Sequence, residues 1–242
     1  MYAVSKKIAF SMALLGLLLW PSAGYGEGSS IAEGSAIALF DGKSLEGWET
    51  EDRGPVTKGW KVEDGNLVWT ERSQSIYAPG TFGDFELSFE WKIARGGNSG
   101  IKYRVAYYQK GVRGWPGWLG CEYQLFDDAG RETSPQQSAG ALYDLYAPNE
   151  KKKLKPIDQY NQSKIVLVGS HIEHWLNGAK IVEVDTQSED WKQKIARSKF
   201  HRAQGFLENP RGRIQFQDHG HKVWFRNVML RELNSKDKTI SR

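Results

Sequence analysis

The nine residues from Phe85 to Ile93 (Phe-Glu-Leu-Ser-Phe-Glu-Trp-Lys-Ile) alternate apolar and polar side chains without a break. A two-residue period is that of a strand, and a strand with one fully apolar face needs a second layer to cover it. The same period recurs along the chain. Trp60 to Trp69 reads as a hairpin turning at Glu63–Asn66, and Ile101 to Tyr107 alternates less cleanly. Lys164–Val168 and His171–Leu176 are joined at Gly169-Ser170, and Asn177-Gly178 turns the chain into Lys180–Val184, a strong hairpin signal. Near the C-terminus, Ile214 and Phe216 point one way and Gln215 and Gln217 the other. Asp218-His219 follow, and Gly220 allows a turn into a second strand, His221–Val228. Only Glu189–Ser198 looks helical, with Ser188 as its cap and Trp191 and Ile195 four apart. Many strands, 26 glycines and little helix predict an all-β jelly-roll sandwich of two antiparallel sheets with at most one short accessory helix. Phe85, Leu87, Phe89, Trp91, Ile93, Ile214 and Phe216 are the expected core.

The N-terminal residues read as a targeting segment. Lys6 and Lys7 precede an apolar run from Ile8 to Trp20, followed by Pro21-Ser22-Ala23-Gly24, the layout of a cleaved signal peptide. The expected organisation is a signal peptide over 1–26, a linker over 27–36, one domain over 37–234 and a tail over 235–242. Export also changes the charge balance. The chain has 33 basic and 29 acidic residues, and losing Lys6 and Lys7 leaves 31 against 29. That excess is too small for a nucleic-acid footprint. Cys121 is the single cysteine, so no internal disulfide forms and the thiol reads as a small buried hydrophobe.

The polar faces of these strands carry acids, basic residues and amides at mid-strand: Glu86, Ser88 and Glu90; Lys102 and Arg104; Glu122 and Gln124; His174; Gln217. They read either as one shared polar cleft or as a mixed-charge solvent face. Arg95-Gly96-Gly97-Asn98-Ser99-Gly100 is either a turn or a loop that brings backbone N–H groups to a ligand. The segment Asp218-His219-Gly220-His221 is able to touch a divalent metal through its two histidines, although no further ligand is obvious. Trp115 and Trp118 sit in a Gly/Pro-rich stretch and suit stacking on sugar rings, or fold back on the sheet. No nucleophile elbow, phosphate loop or zinc motif occurs.

An ordered set of segments resembles the bacterial 3-keto-disaccharide hydrolase domain. It runs from Phe40-Asp41-Gly42-Lys43-Ser44-Leu45-Glu46-Gly47-Trp48 through Trp60–Leu67, Phe82–Leu87, Asn98–Arg104, Gly120–Gln124, Gly140–Leu145 and His174–Gly178 to Gln217-Asp218-His219-Gly220. The stretch Lys155-Pro156-Ile157-Asp158-Gln159-Tyr160-Asn161 departs from the family pattern. The resemblance implies a concanavalin A-like jelly roll, a periplasmic or secreted location, and cleavage of glycosides already oxidised at C3 by a separate sugar dehydrogenase. A ketone at C3 acidifies the C2 proton. A base removes that proton, the C1 substituent is eliminated, and water then adds, for net hydrolysis. Glu122 is the first choice of base, with His174 and His219 as alternatives. Asn98, Lys102, Arg104, Gln124, Asp127, Tyr143, Gln217, Asp218, Trp115 and Trp118 are the expected substrate contacts. A lectin-like binding module and a conventional two-carboxylate glycosidase are the competing readings.

Overall fold

The computed structural model describes residues 35–233. The readings of a signal peptide and a C-terminal tail lie outside these residues. In chain order the strands are β1 (Ile37–Ala38), β2 (Trp60–Glu63), β3 (Asn66–Trp69), β4 (Ile76–Tyr77), β5 (Phe85–Ile93), β6 (Asn98–Tyr108) and β7 (Gly117–Phe126). They continue with β8 (Asn161–Val168), β9 (His171–Leu176) and β10 (Ala179–Asp185), then helix α1 (Glu189–Arg197), β11 (Arg213–Phe216) and β12 (Val223–Glu232). The larger antiparallel sheet runs β10-β9-β8-β5-β12-β3-β2, with β1 also on β12; the smaller runs β4-β11-β6-β7. The two face each other as a jelly-roll sandwich.

The alternation in β5 does what the sequence predicts. Phe85, Leu87, Phe89 and Trp91 are all at most 2% exposed, and burying side chains of this size stabilises by about 1.5–3 kcal/mol each. Ile101, Tyr103, Tyr123, Ile214 and Phe216 close the core from the smaller sheet. Cys121 is buried among them, which pushes its thiol pKa well up. Ser188 caps α1 as expected, its Oγ accepting from the Trp191 N–H at 3.2 Å.

One expected connection is different. The Gly220 turn does not close a hairpin, because β11 belongs to the smaller sheet and β12 to the larger one. The turn carries the chain from one layer to the other. Strand alternation fixes which face a residue occupies, not which sheet its strand joins.

The core also holds a polar chain between the layers. His174 on β9 is fully buried. Its Nδ1 lies 3.0 Å from the Gly140 carbonyl and its Nε2 2.9 Å from the Tyr103 hydroxyl. A carbonyl only accepts, so Nδ1 carries the proton and Nε2 accepts from Tyr103. Tyr123 donates to the Trp175 carbonyl at 3.1 Å and lies 2.9 Å from Ser163 Oγ, which accepts from Trp91 Nε1 at 2.9 Å.

Burial lowers the His174 pKa to about 4. A histidine depressed from 6.5 contributes stability that is complete above pH 6.5 and lost as pH falls toward 4. The loss amounts to about 3 kcal/mol. Urea unfolding of the wild type across this window is expected to show that decline, and His174→Phe to remove it. An equal slope in both proteins would refute the assignment.

Candidate functional site

The outward face of the smaller sheet collects most of the polar residues expected in the site. Glu122 lies directly opposite Lys102 across the β7–β6 ladder, and Lys102 opposite Gln215 across β6–β11. Gln217 follows β11, with its N–H bonded to the Gly100 carbonyl. Glu122 is 6% exposed, and its Oε2 accepts from Gln217 Nε2 at 3.0 Å. Both polar groups crowd onto Gly100. A Cβ there would lie 2.3 Å from Gln217 Oε1 and 2.8 Å from Glu122 Oε1. Absence of a side chain at position 100 is therefore what lets the pair form. Gly100 alone makes this close approach; Arg95-Gly96 form a turn closed by the Gly97 N–H on the Ala94 carbonyl at 2.9 Å, with Gly96 at φ 66°.

Four amide oxygens on or beside this face are buried without a hydrogen-bond partner among the described residues: Asn98 Oδ1, Gln124 Oε1, Gln215 Oε1 and Gln217 Oε1. Buried acceptors without partners are costly, and together they form a set that a polyhydroxylated ligand would satisfy. Gln124 is held by its other end, Nε2 donating to the Gln137 carbonyl at 3.0 Å.

Two basic groups flank Glu122. Lys102 faces it across the ladder. Lys199, unanticipated from sequence, arrives from the turn after α1. Its Nζ lies 4.2 Å from the Tyr143 ring centroid and 5.1 Å from that of Phe200. Burial lowers the Lys199 pKa, against the pull of the Glu122 and Asp144 charges. Phe200 fixes this approach by stacking on Phe206 at 4.4 Å. The run Lys199-Phe200 has no period or motif of its own, and sequence offers no signal for it. Tyr143 donates its backbone N–H to the Glu122 carbonyl, and its phenol pKa is raised by burial and then by the Glu122 charge. His219 stands at the rim. Burial is the main influence on it and lowers its pKa, while Glu122 opposes the shift.

The same face continues into an aromatic end. Trp118 packs edge-on against Tyr77 at 6.3 Å and Tyr107 at 5.5 Å, and the Arg213 guanidinium lies 3.8 Å from the Tyr77 ring centroid. Arg213 pairs with Glu49, and Gln215 donates to the Tyr77 hydroxyl at 2.6 Å. Trp118 belongs to strand β7 and not to a loop; Trp115, before the strand, is 74% exposed.

Several expected members stand elsewhere. His174 is sealed in the core and cannot reach a substrate, because it sits on an inward position of β9. Arg104 leaves the Lys102 face because a bulge interrupts β6 there, with Arg104 at φ 54°. Its guanidinium instead binds the Asn209 carbonyl at 2.7 Å and lies 3.6 Å from Asp84. Glu122, Arg104 and His174 therefore do not share one face. Asp127 is a loop anchor, accepting from the Gly96 N–H at 2.7 Å. Asp218 is a turn stabiliser: its oxygens accept from the Ser73 and Gly220 N–H groups at 2.6 and 2.8 Å. Glu86, Ser88 and Glu90 lie on the outer face of the larger sheet, so the polar residues form two separate surfaces and not one cleft. Among the described residues, the one grouping of three metal-type ligands is His171, Glu173 and Glu183, and Lys180 Nζ already sits 3.1 Å from Glu173 and 2.7 Å from Glu183.

Gly100→Ala is expected to lower the unfolding free energy by about 1–3 kcal/mol through forced displacement of Gln217 and Glu122. Gly117→Ala, where nothing lies within 4 Å of the added carbon, is the control and should be near neutral. Urea titration of both variants makes the comparison, and equal stabilities would contradict the close-approach argument.

The sequence profile of the 3-keto-alpha-glucoside-1,2-lyase-like domain matches residues 35–231. A 3-keto-disaccharide hydrolase of Bacteroides thetaiotaomicron is 29% identical over 228 aligned residues, covering 82% of this chain and 78% of that protein. Crystal structures of two candidate glycosyl hydrolases from Parabacteroides distasonis superpose with TM-scores of 0.72 and 0.63, at 34% and 27% identity. They cover 82% and 83% of this chain and 94% and 100% of theirs. With nearly all of its sandwich inside the matched span, the chain belongs to the family of 3-keto-alpha-glucoside-1,2-lyase-like domains.

Proposed function

We propose that this protein cleaves 3-keto-glycosides by removing the C2 proton at the Glu122 face. The observation that carries the reading is the buried Glu122 carboxylate, held by Gln217 and flanked by Lys102 and Lys199 on a face rich in unpartnered amide oxygens. A carboxylate held by one neutral amide keeps lone pairs free to take a proton. Lys102 and Lys199 supply positive charge where the C3 enolate oxygen becomes anionic, the usual place for the largest electrostatic contribution.

The steps balance as follows. Glu122 takes the C2 proton, and the electron pair moves toward the C3 oxygen. The enolate then expels the C1 oxygen substituent, which leaves with a proton from Tyr143 as an alcohol. Water adds its hydroxide at C1 and gives its other proton to the group that protonated the alcohol, and the proton held by Glu122 returns to C2, giving the free 3-keto sugar with both groups restored. Asn98, Gln124, Gln215 and Gln217 accept from sugar hydroxyls, and Trp118 with Trp115 supports the ring or the aglycone. Such a substrate has to be made by an enzyme that oxidises the C3 hydroxyl. A signal peptide over residues 1–26 would place the reaction outside the cytoplasm.

Release of the aglycone from 4-nitrophenyl 3-keto-glucoside, measured beside 4-nitrophenyl glucoside, tests the reading. Only the ketone is expected to be cleaved, and cleavage of the unoxidised glucoside at a similar rate would overturn the elimination route. Glu122→Gln is expected to lose about 10²–10⁴-fold in kcat, with the unfolding transition preserved. Lys199→Met is expected to lower kcat more than it alters KM, since its charge matters most as the enolate forms. Full turnover in Glu122→Gln would remove it from the base role.

A further inference from the structure

We propose that the outer face of the larger sheet holds a second, non-catalytic site that binds one neutral sugar ring. It lies on the opposite side of the sandwich from Glu122 and stands independently of the proposed chemistry. A groove of about 260 Å³ runs here between Trp175 and Asn227, slightly below the about 300 Å³ at which pockets for drug-sized ligands begin. That volume suits a single ring and not an extended chain.

The groove arises from the strand registers. Trp175, Lys164, Ser88 and Met229 form one row across β9, β8, β5 and β12. Ser88 is the small member of a row of large ones, so the sheet is depressed there. Beside it a bulge interrupts β12 between Arg226 and Met229, with Asn227 at φ 51°. A non-glycine residue in this region is uncommon and strained. The bulge turns the Asn227 side chain across the strands, where its Nδ2 donates to Glu90 Oε1 at 3.0 Å. Arg226 holds the other Glu90 oxygen, with Nε at 2.8 Å. Glu90 is only 8% exposed at the groove floor. A carboxylate offers about four acceptor positions, and three bonds from these two neighbours leave room for a sugar hydroxyl.

The walls suit a pyranose. Trp175 lines the groove and is pinned by its Nε1 donating to Glu173 Oε2 at 2.7 Å, so its ring adds apolar surface without loss of ring freedom on binding. Lys164 Nζ sits 4.7 Å from that ring centroid and 3.5 Å from Glu86, with donor directions to spare, and Gln162 overhangs the rim. The charges argue against ions. Lys164 and Arg226 are each paired with a carboxylate, so a phosphate would meet Glu86 and Glu90, and a cation would meet Lys164 and Arg226. An uncharged ligand that both donates and accepts fits best. No acid and base pair is free to act on it, so the site binds and does not cleave.

The test follows the Trp175 indole N–H signal in ¹H–¹⁵N spectra of the full chain, assigned by its loss in Trp175→Phe. Methyl α-glucoside, galactose, mannose, N-acetylglucosamine and inorganic phosphate are titrated separately. A saturable shift from at least one neutral sugar is expected, with phosphate giving none. Ser88→Leu fills the depression and Gln162→Trp roofs it from the exposed rim, so both are expected to weaken binding at least about tenfold while leaving 3-keto-glucoside cleavage unchanged. Should Ser88→Leu misfold, Gln162→Trp alone decides. Absence of a saturable shift from every sugar, a shift that survives Gln162→Trp, or a response to phosphate instead would overturn the proposal. Failure of keto-glucoside cleavage would bear on the Glu122 reading alone.

Discussion

The buried polar chain between the sheets is the constraint on which the rest of the molecule depends. Greasy layers slide over one another at small cost; hydrogen bonds across them do not, because each displacement strands a buried polar atom. Tyr123 on the smaller sheet is tied to Ser163 and to the Trp175 carbonyl of the larger one, and Tyr103 is tied to His174. Glu122 lies between Cys121 and Tyr123, and Lys102 lies between Ile101 and Tyr103. Anchoring the inward neighbours therefore fixes the outward pair. Histidine serves this role only while neutral, and complete burial keeps it so at neutral pH.

Much of this was legible in the sequence because a two-residue period is a local property. The faces of β5 and β7 follow from alternation alone, and so does the outward set Glu122, Gln215 and Gln217. What was not legible depends on events that alternation cannot encode. The Arg104 bulge changes the parity of β6 in mid-strand, so Arg104 turns toward Asn209 while Lys102 stays on the site. His174 shares its face of β9 with the apolar Ile172 and Leu176, so alternation marks it as inward; only its polar ring suggested a place in the site. Lys199 reaches the site only because Phe200 is anchored by Phe206, a tertiary contact with no sequence period.

The bulges at Arg104 and Asn227 have a common consequence. Each costs ladder hydrogen bonds and places a non-glycine residue at positive φ, about 1–3 kcal/mol of strain. Each redirects one polar side chain onto a neighbouring carboxylate or carbonyl. In β6 the redirected Arg104 clears space beside Lys102 and leaves Val105 and Tyr107 on the outward face, the latter against Trp118. In β12 the redirected Asn227 forms a wall over Glu90. A regular ladder would have produced two flat faces, so the relief on both sides of the sandwich comes from interruptions of the pattern that built the core.

The partner chosen for Glu122 also bears on its chemistry. An ordinary glycosidase needs two carboxylates facing each other across the bond to be broken. Here the direct neighbour of Glu122 is the uncharged Gln217 amide. That amide orients the carboxylate by a single hydrogen bond. The lysine charges would hinder an oxocarbenium-like transition state, which is cationic at C1, and would favour an enolate, which is anionic at the C3 oxygen. The sign of the charge around Glu122 thus favours chemistry beside a ketone over direct displacement at the anomeric carbon.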